Sequence, residues 1–221
     1  MSDLNLISRR SALLALGIAP AVLSVSHLPA LAQSAPRSEG SVDVTKLMAD
    51  GALPEMAEGA ADAPVTIIEY ASMTCGHCAS FHKNTYPALK EKYIDTGKVR
   101  LILREFPFDP RAIAAFMLAR CAPNNAYFPM VDVLFKQQAV WARAENARVP
   151  LQNIAKLAGF TQESFEACLT DQKLLNDVNA VKTRGQEEFD VSATPTFFIN
   201  GAKYAGALTI DQMSAIIDGL L

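Results

Sequence analysis

The sequence is poor in the residues that several function classes depend on. It has three histidines and four cysteines in 221 residues. No second C-x-x-C and no histidine pair is present to complete a four-ligand zinc site. Its 20 Lys and Arg and 23 Asp and Glu leave a net charge of −3 and form no basic stripe, which argues against nucleic acid as a partner. Eleven glycines and twelve prolines are too few and too scattered for a fibrous or low-complexity chain. There is no internal repeat of solenoid length. Four cysteines are too few for a mini-scaffold held by disulfides alone. What is plentiful is apolar: half the residues are hydrophobic and 19% are charged. That supports a real core, excludes a wholly disordered chain, and suits one domain or one domain with an insertion.

The first 32 residues read as a secretory signal peptide. Arg9 and Arg10 precede an apolar run over 12–25, and Pro29 precedes the small-x-small triplet Ala30-Leu31-Ala32. Cleavage is expected after Ala32, with Gln33 as the new N-terminus. Pro20, His27 and Pro29 interrupt a run already short for a bilayer span, which weighs against an uncleaved anchor. Ser8-Arg9-Arg10 with Leu13 and Leu14 also suits a twin-arginine signal, although Ala12 stands where an aromatic residue is usual. The export route is therefore open. No cysteine sits at the cleavage site, which argues against a lipoprotein. Cys75, Cys78, Cys121 and Cys168 all lie beyond the cut, and an even number in an exported chain suits disulfide chemistry.

Residues 33–52 read as an N-terminal leader, polar and flexible through 41. Asp43 then caps a short helix to Met48, which Asp50-Gly51 ends. A short strand is expected at 53–57 and a buried one at 65–70. A helix is expected to start at Cys75, with Thr74 as its N-cap, and to run to about Thr96 with a kink near 83–86 caused by Pro87. A second clear strand follows over 98–106. From 109 to 188 the pattern turns helical, with segments at 111–121, 128–142 and 151–158, one capped by Thr161, and one at 172–189. Strand character returns at 196–199, then Asn200-Gly201 as a hairpin turn, a strand at 203–205 and a closing helix at 208–221. The fold class is α/β: a domain in two parts, 53–108 and 189–221, around an all-helical insertion, 109–188.

The chemistry is concentrated in Cys75-Gly76-His77-Cys78, a C-x-x-C after a buried strand and at a helix start. Unpaired N–H groups and the positive end of the helix dipole stabilise a thiolate on Cys75. Cys78, one turn in, is within disulfide reach and more buried. Gly76 leaves the backbone open to another chain, and His77 can place positive charge or a hydrogen bond beside the Cys75 sulfur. Two other readings stay open. Cys75, Cys78 and His82 have a metal-like spacing, and a C-x-x-C disulfide can be merely structural, although so short a loop is a poor staple. Thr194-Pro195 stands before a strand, and X-Pro bonds are occasionally cis.

Over 53–221 the chain resembles the DsbA family of periplasmic thiol–disulfide oxidoreductases, which have the thioredoxin fold. The resemblance rests on Glu69-Tyr70-Ala71-Ser72-Met73-Thr74-Cys75-Gly76-His77-Cys78, on Thr194-Pro195-Thr196-Phe197-Phe198-Ile199-Asn200-Gly201, and on the helical block between them. It implies a periplasmic dithiol oxidase without a cofactor or metal. Cys75 is then the reactive cysteine and Cys78 its buried partner. Pro195 is the cis proline against the active disulfide, and Thr194 pairs with a substrate backbone. Glu69 is the buried acid near the inner cysteine, its alternative being a strand-end carboxylate that reaches solvent. The implied partners are reduced, unfolded exported proteins and a DsbB-type, quinone-linked membrane protein that restores the disulfide. No dimerisation segment is visible, so a monomer is expected. Gly-His between the cysteines and Thr before the proline depart from the best-known oxidases. They keep an isomerase or reductase open as the alternative, with an exported metal carrier behind it.

Four further expectations concern residues outside the motif. Cys121 and Cys168 pair as a second, structural disulfide or remain buried thiols. His82 is a surface helix residue. Trp141 carries no role. Phe81, Tyr86, Leu89 and Tyr93, at helical spacing, belong to the core.

Overall fold

Seven buried or half-buried residues, Val65–Ala71, form strand β3, and their β-branched and apolar character suits the centre of a sheet. The computed structural model describes residues 35–221; the expected signal peptide, its cleavage after Ala32 and the start at Gln33 lie outside the described residues. Among these, six strands make one sheet in the order β1-β6-β5-β3-β4-β2. They are β1 (Gly40–Ser41), β2 (Met56–Glu58), β3, β4 (Val99–Glu105), β5 (Thr196–Ile199) and β6 (Ala202–Ala205). Only β3 and β4 run parallel, in the register Val65 to Val99 and Ala71 to Glu105.

Alternation along β3 assigns its two faces. Ile67 packs with Phe81, Leu89, Tyr93, Met213 and Ile217, under helices α2 (Gly76–Asn84), α3 (Tyr86–Leu89) and α10 (Ile210–Asp218). Ile68 and Tyr70 pack on the other face with Leu47 and Phe189, from α1 (Val44–Met48) and α9 (Gln172–Phe189). Gly185 lets α9 lie close to the sheet, because a Cβ there would sit 2.7 Å from the Tyr70 ring. Asn200 and Gly201, both at positive φ, make the tight turn between β5 and β6.

Between β4 and β5 the chain forms α4 (Pro110–Arg120), α5 (Tyr127–Lys136), α6 (Gln138–Trp141), α7 (Arg148–Leu157), α8 (Gln162–Thr170) and α9. Their shared core holds Phe116, Tyr127, Leu134, Phe135, Trp141 and Phe165, and it extends to Met73 and Cys78. The reactive segment therefore lies where the helical block meets the sheet domain. Trp141 is fully buried and its indole N–H donates to the Leu134 carbonyl at 2.8 Å, so its one polar group is satisfied. Cys121 and Cys168 are joined by a disulfide with Cα atoms 6.1 Å apart, tying the end of α4 to α8.

Several local expectations are corrected. The leader is not all flexible: Gly40–Ser41 adds an edge strand to β6, since an exposed sheet edge offers unpaired backbone groups. The first short strand sits at Met56–Glu58, where β4 supplies its partners. Thr74 does not cap α2. Cys75 is the N-cap residue, and the Thr74 hydroxyl instead donates to Asp109 Oδ2 at 2.5 Å. The same carboxylate caps α4 through the Arg111 and Ala112 N–H groups, and α2 starts one residue later than expected because Cys75 is still extended. The long helix breaks at Thr85, within the expected kink, and Pro87 begins a new turn. It then widens into a π-helical turn, Lys90–Ile94, that no residue pattern announced. The 128–142 segment is two helices separated at Gln137.

Candidate active site

Helix α2 points its N-terminus at the edge of the site. Cys75 is half-buried there, Gly76 and His77 are exposed, and Cys78 is fully buried. Both cysteines are free thiols, so this is the dithiol form. A Cβ added at Gly76 would meet nothing within 4 Å, which leaves this surface open to an approaching chain. The Thr194–Pro195 bond is cis, and the Thr194 carbonyl lies 3.3 Å from the Cys75 sulfur, as acceptor for its thiol. The Thr194 hydroxyl is buried without a partner. It gains an acceptor when Cys75 becomes a thiolate.

The two thiols are driven in opposite directions. Cys75 is lowered to about 5, first by a hydrogen bond from Cys78. Partial burial opposes this, and the Thr194 side chain and the backbone N–H groups of Cys78 and His77 reinforce it. The His77 contribution thus comes through its backbone. Cys78 is pushed well up, first by burial, then by its bond to Cys75 and by the Glu69 charge. One sulfur is poised as nucleophile and leaving group while the other holds its proton.

Glu69 is fully buried on β3, which overturns the reading of a carboxylate that reaches solvent. Its Oε2 lies 3.0 Å from His82 Nε2, and its Oε1 has no partner. The expectation that His82 is a surface residue is also overturned. It is 3% exposed and its ring stacks on Phe135, with centroids 4.3 Å apart. The reason is helical geometry: His82 lies four residues after Cys78, on the inward face of α2. That spacing, read together with the strand acid, was the signal available in the sequence.

The helical block supplies two residues that sequence reasoning missed. Gln138, on α6, donates through Nε2 to the Met73 carbonyl at 2.8 Å and to the Cys75 carbonyl at 2.9 Å. Asp109 holds Thr74. Neither has a signal, since a Gln in an amphipathic helix and an Asp at a cap are ordinary. Among the described residues, no group of three or more His, Cys, Asp or Glu is placed to hold a metal ion.

Residues 52–219 match the family model described as Thioredoxin. A protein of Rickettsia bellii named for protein-disulfide oxidoreductase activity is 35% identical over 165 residues, or 74% of this chain. The chain spans 63% of that relative's length, and similar shares of others like it. Among solved structures, alpha-DsbA1 of Wolbachia pipientis is 35% identical, with a TM-score of 0.72, covering 76% of this chain and 92% of that one. BdbD of Bacillus subtilis, at 18% identity and a TM-score of 0.68, shares the fold and covers 85% of this chain and 98% of its own. The fold, the C-x-x-C at the start of α2 and these likenesses agree: the chain belongs to the DsbA family of thioredoxin-fold thiol–disulfide oxidoreductases.

Proposed function

We propose that the chain is an exported, periplasmic enzyme that introduces disulfides into proteins through Cys75 and Cys78. The observation that carries the reading is the dithiol at the start of α2, with Cys75 half-buried 3.3 Å from the Thr194 carbonyl and Cys78 fully buried, an arrangement that lowers the first thiol and raises the second. A substrate thiolate attacks the Cys75 sulfur of the Cys75–Cys78 disulfide, and Cys78 leaves and takes up a proton. A second substrate thiolate attacks the substrate sulfur of the mixed disulfide, and Cys75 leaves as a stable thiolate. The substrate is oxidised by two electrons and the enzyme is left as the dithiol. Gly76, Thr194 and Pro195 line the docking edge for an extended, reduced polypeptide. Glu69 serves the buried thiol, and His77 lends its backbone N–H. A DsbB-type membrane protein restores the disulfide, and the enzyme acts as a monomer without cofactor.

Isomerase or reductase action is the second reading, favoured by Gly-His between the cysteines and by Thr194. Equilibration of Cys75–Cys78 with glutathione separates the two. A potential of about −120 mV, the DsbA value, supports the oxidase. One between about −180 and −270 mV, the span from disulfide isomerase to thioredoxin, supports the alternative. Cys75→Ser abolishes either activity; full activity in that variant would refute both.

A further inference from the structure

The two ends of the sheet are closed in different ways. At one end β2 is three residues long and follows Pro54, whose carbonyl already accepts from Arg120 Nη1 at 2.7 Å. A short strand beside a proline gives a passing chain little to pair with. At the other end β6 is four residues long, and β5 pairs with only one of its sides. Its outer side is met by β1, antiparallel, with Gly40 opposite Lys203 and Ser41 opposite Ala202. The Glu39 N–H donates to the Lys203 carbonyl at 2.8 Å and the Val42 N–H to the Gly201 carbonyl at 2.9 Å. The next element holds β1 in place. Asp43 caps α1, and Leu47 is buried on the sheet beside Ile68 and Phe198. Arg104 donates to the Leu47 carbonyl at 2.7 Å, and Arg184 to those of Ala49 and Lys46 at 2.8 Å each. The turn before β6 makes room for this cover: a Cβ at Gly201 would stand 2.7 Å from Val44 Cγ2 and 3.1 Å from the Val42 carbonyl oxygen. β1 and α1 both precede the 52–219 span that the family model matches.

We propose that residues 39–42 are a specificity-determining cover: they close the β6 edge to extended polypeptides, so that a reduced substrate is held only along Thr194 and Pro195. The proposal rests on the exchange reading above, because that reading brings the enzyme chains of just this kind. A reduced, unfolded polypeptide carries free backbone N–H and C=O groups, and an uncovered edge strand is a template for them. The β6 edge is close enough to the site to compete with it. β6 runs back to the cis proline, and the Gly206 N–H donates to the Pro195 carbonyl at 2.9 Å. A chain added to the outer side of β6 would lie two strand spacings from β5, about 10 Å. It would be retained beside the site without being presented to Cys75. β1 is a poor template in its turn, being two exposed residues long. The cover therefore exchanges a four-residue edge for a two-residue one.

The test opens the edge and leaves α1 in place. Gly40 stands at φ +147, which proline cannot adopt, and a proline at 42 has no N–H to give Gly201. Gly40→Pro combined with Val42→Pro therefore removes β1. The probe is a reduced, carboxymethylated polypeptide, which is extended and has no thiol to exchange. It is expected to bind the double variant at least about tenfold more tightly than the unaltered protein, the worth of one or two backbone hydrogen bonds. Hydrogen exchange should show the protection gained over 202–205, and Cys75→Ser should leave the gain unchanged. The dithiol form is also reacted with oxidised glutathione. In the first phase Cys75 attacks and one glutathione leaves; in the second Cys78 closes the disulfide and the other leaves. Both phases should stay within about twofold in the double variant, because the edge is separate from the sulfurs. If the double variant does not fold, Val42→Pro alone replaces it under the same criteria. Equal binding by variant and unaltered protein, or protection gained at Thr194 and not at β6, overturns the proposal. So does protection of β6 by the polypeptide in the unaltered protein, whose edge would then be open. Absence of both glutathione phases in the unaltered protein would instead overturn the exchange reading itself.

Discussion

The reactive sulfur depends on a few nearby groups. The Cys75 thiolate is held by the Cys78 thiol, by Thr194 and by backbone N–H groups, against the cost of partial burial. Ultraviolet titration of the thiolate should therefore give a midpoint near 5. Thr194→Val removes one donor and leaves the carbonyl in place. It should raise that midpoint by up to about one pH unit, equivalent to ~1.4 kcal/mol, and slow release from the mixed disulfide. An unchanged midpoint would show that the Thr194 hydroxyl is idle. Sequence alone points to Cys75 and Cys78 as the reactive pair, because a C-x-x-C between a buried strand and a helix start is a local redox pattern. The partner of Glu69 was missed, although the four-residue spacing from Cys78 already puts His82 on the inward face of α2.

Elements from two distant parts of the chain hold the loop that carries Cys75. Gln138 on α6 ties down the Met73 and Cys75 carbonyls, and Asp109 at the start of α4 ties down Thr74. Gln138→Ala removes both carbonyl bonds. It should lower stability by about 1–2 kcal/mol, read by denaturant unfolding, and make the first phase with glutathione more variable with temperature as the loop loosens. The disulfide between α4 and α8 closes a loop with a sequence separation of 47. On chain entropy, removing it by Cys121→Ala with Cys168→Ala should cost about 4 kcal/mol. A loss near zero would mean that the packing of Phe165 and Trp141 already fixes these helices. The helical segments were legible from periodicity and caps, and α9 (Gln172–Phe189) matches its expected 172–189 span. The break at Gln137 and the π-helical turn were not, because both answer to neighbours across the fold.

At the scale of the molecule, redox state and folding stability are linked. Cys75 is lower in the folded dithiol protein than the ordinary thiol value of 9.0, at about 5. A depressed value stabilises the folded dithiol form fully above pH 9.0; the effect shrinks as pH falls and is gone below about 5. Cys78 works in the opposite sense, but being raised it stays protonated in both states below its ordinary value and adds no slope there. Thermal unfolding of the two redox forms should thus show a stability advantage of the dithiol over the disulfide that narrows from neutral pH toward pH 5. A constant gap would contradict the assignment of the low value to Cys75.

From the sequence alone came the α/β class, the interruption of the sheet domain by a helical insertion, and the expectation that Cys75 and Cys78 form the reactive pair. These follow from hydrophobic period, turn residues and a local motif, all of which act over a few residues. Tertiary structure decided which groups surround the sulfurs. The approach of Thr194 to Cys75, the clamp from Gln138 and Asp109, and the burial of Glu69 against His82 join residues far apart along the chain. No local pattern encodes such meetings; they arise when β3, β5, α2 and the helical block pack together and most buried polar groups are paired.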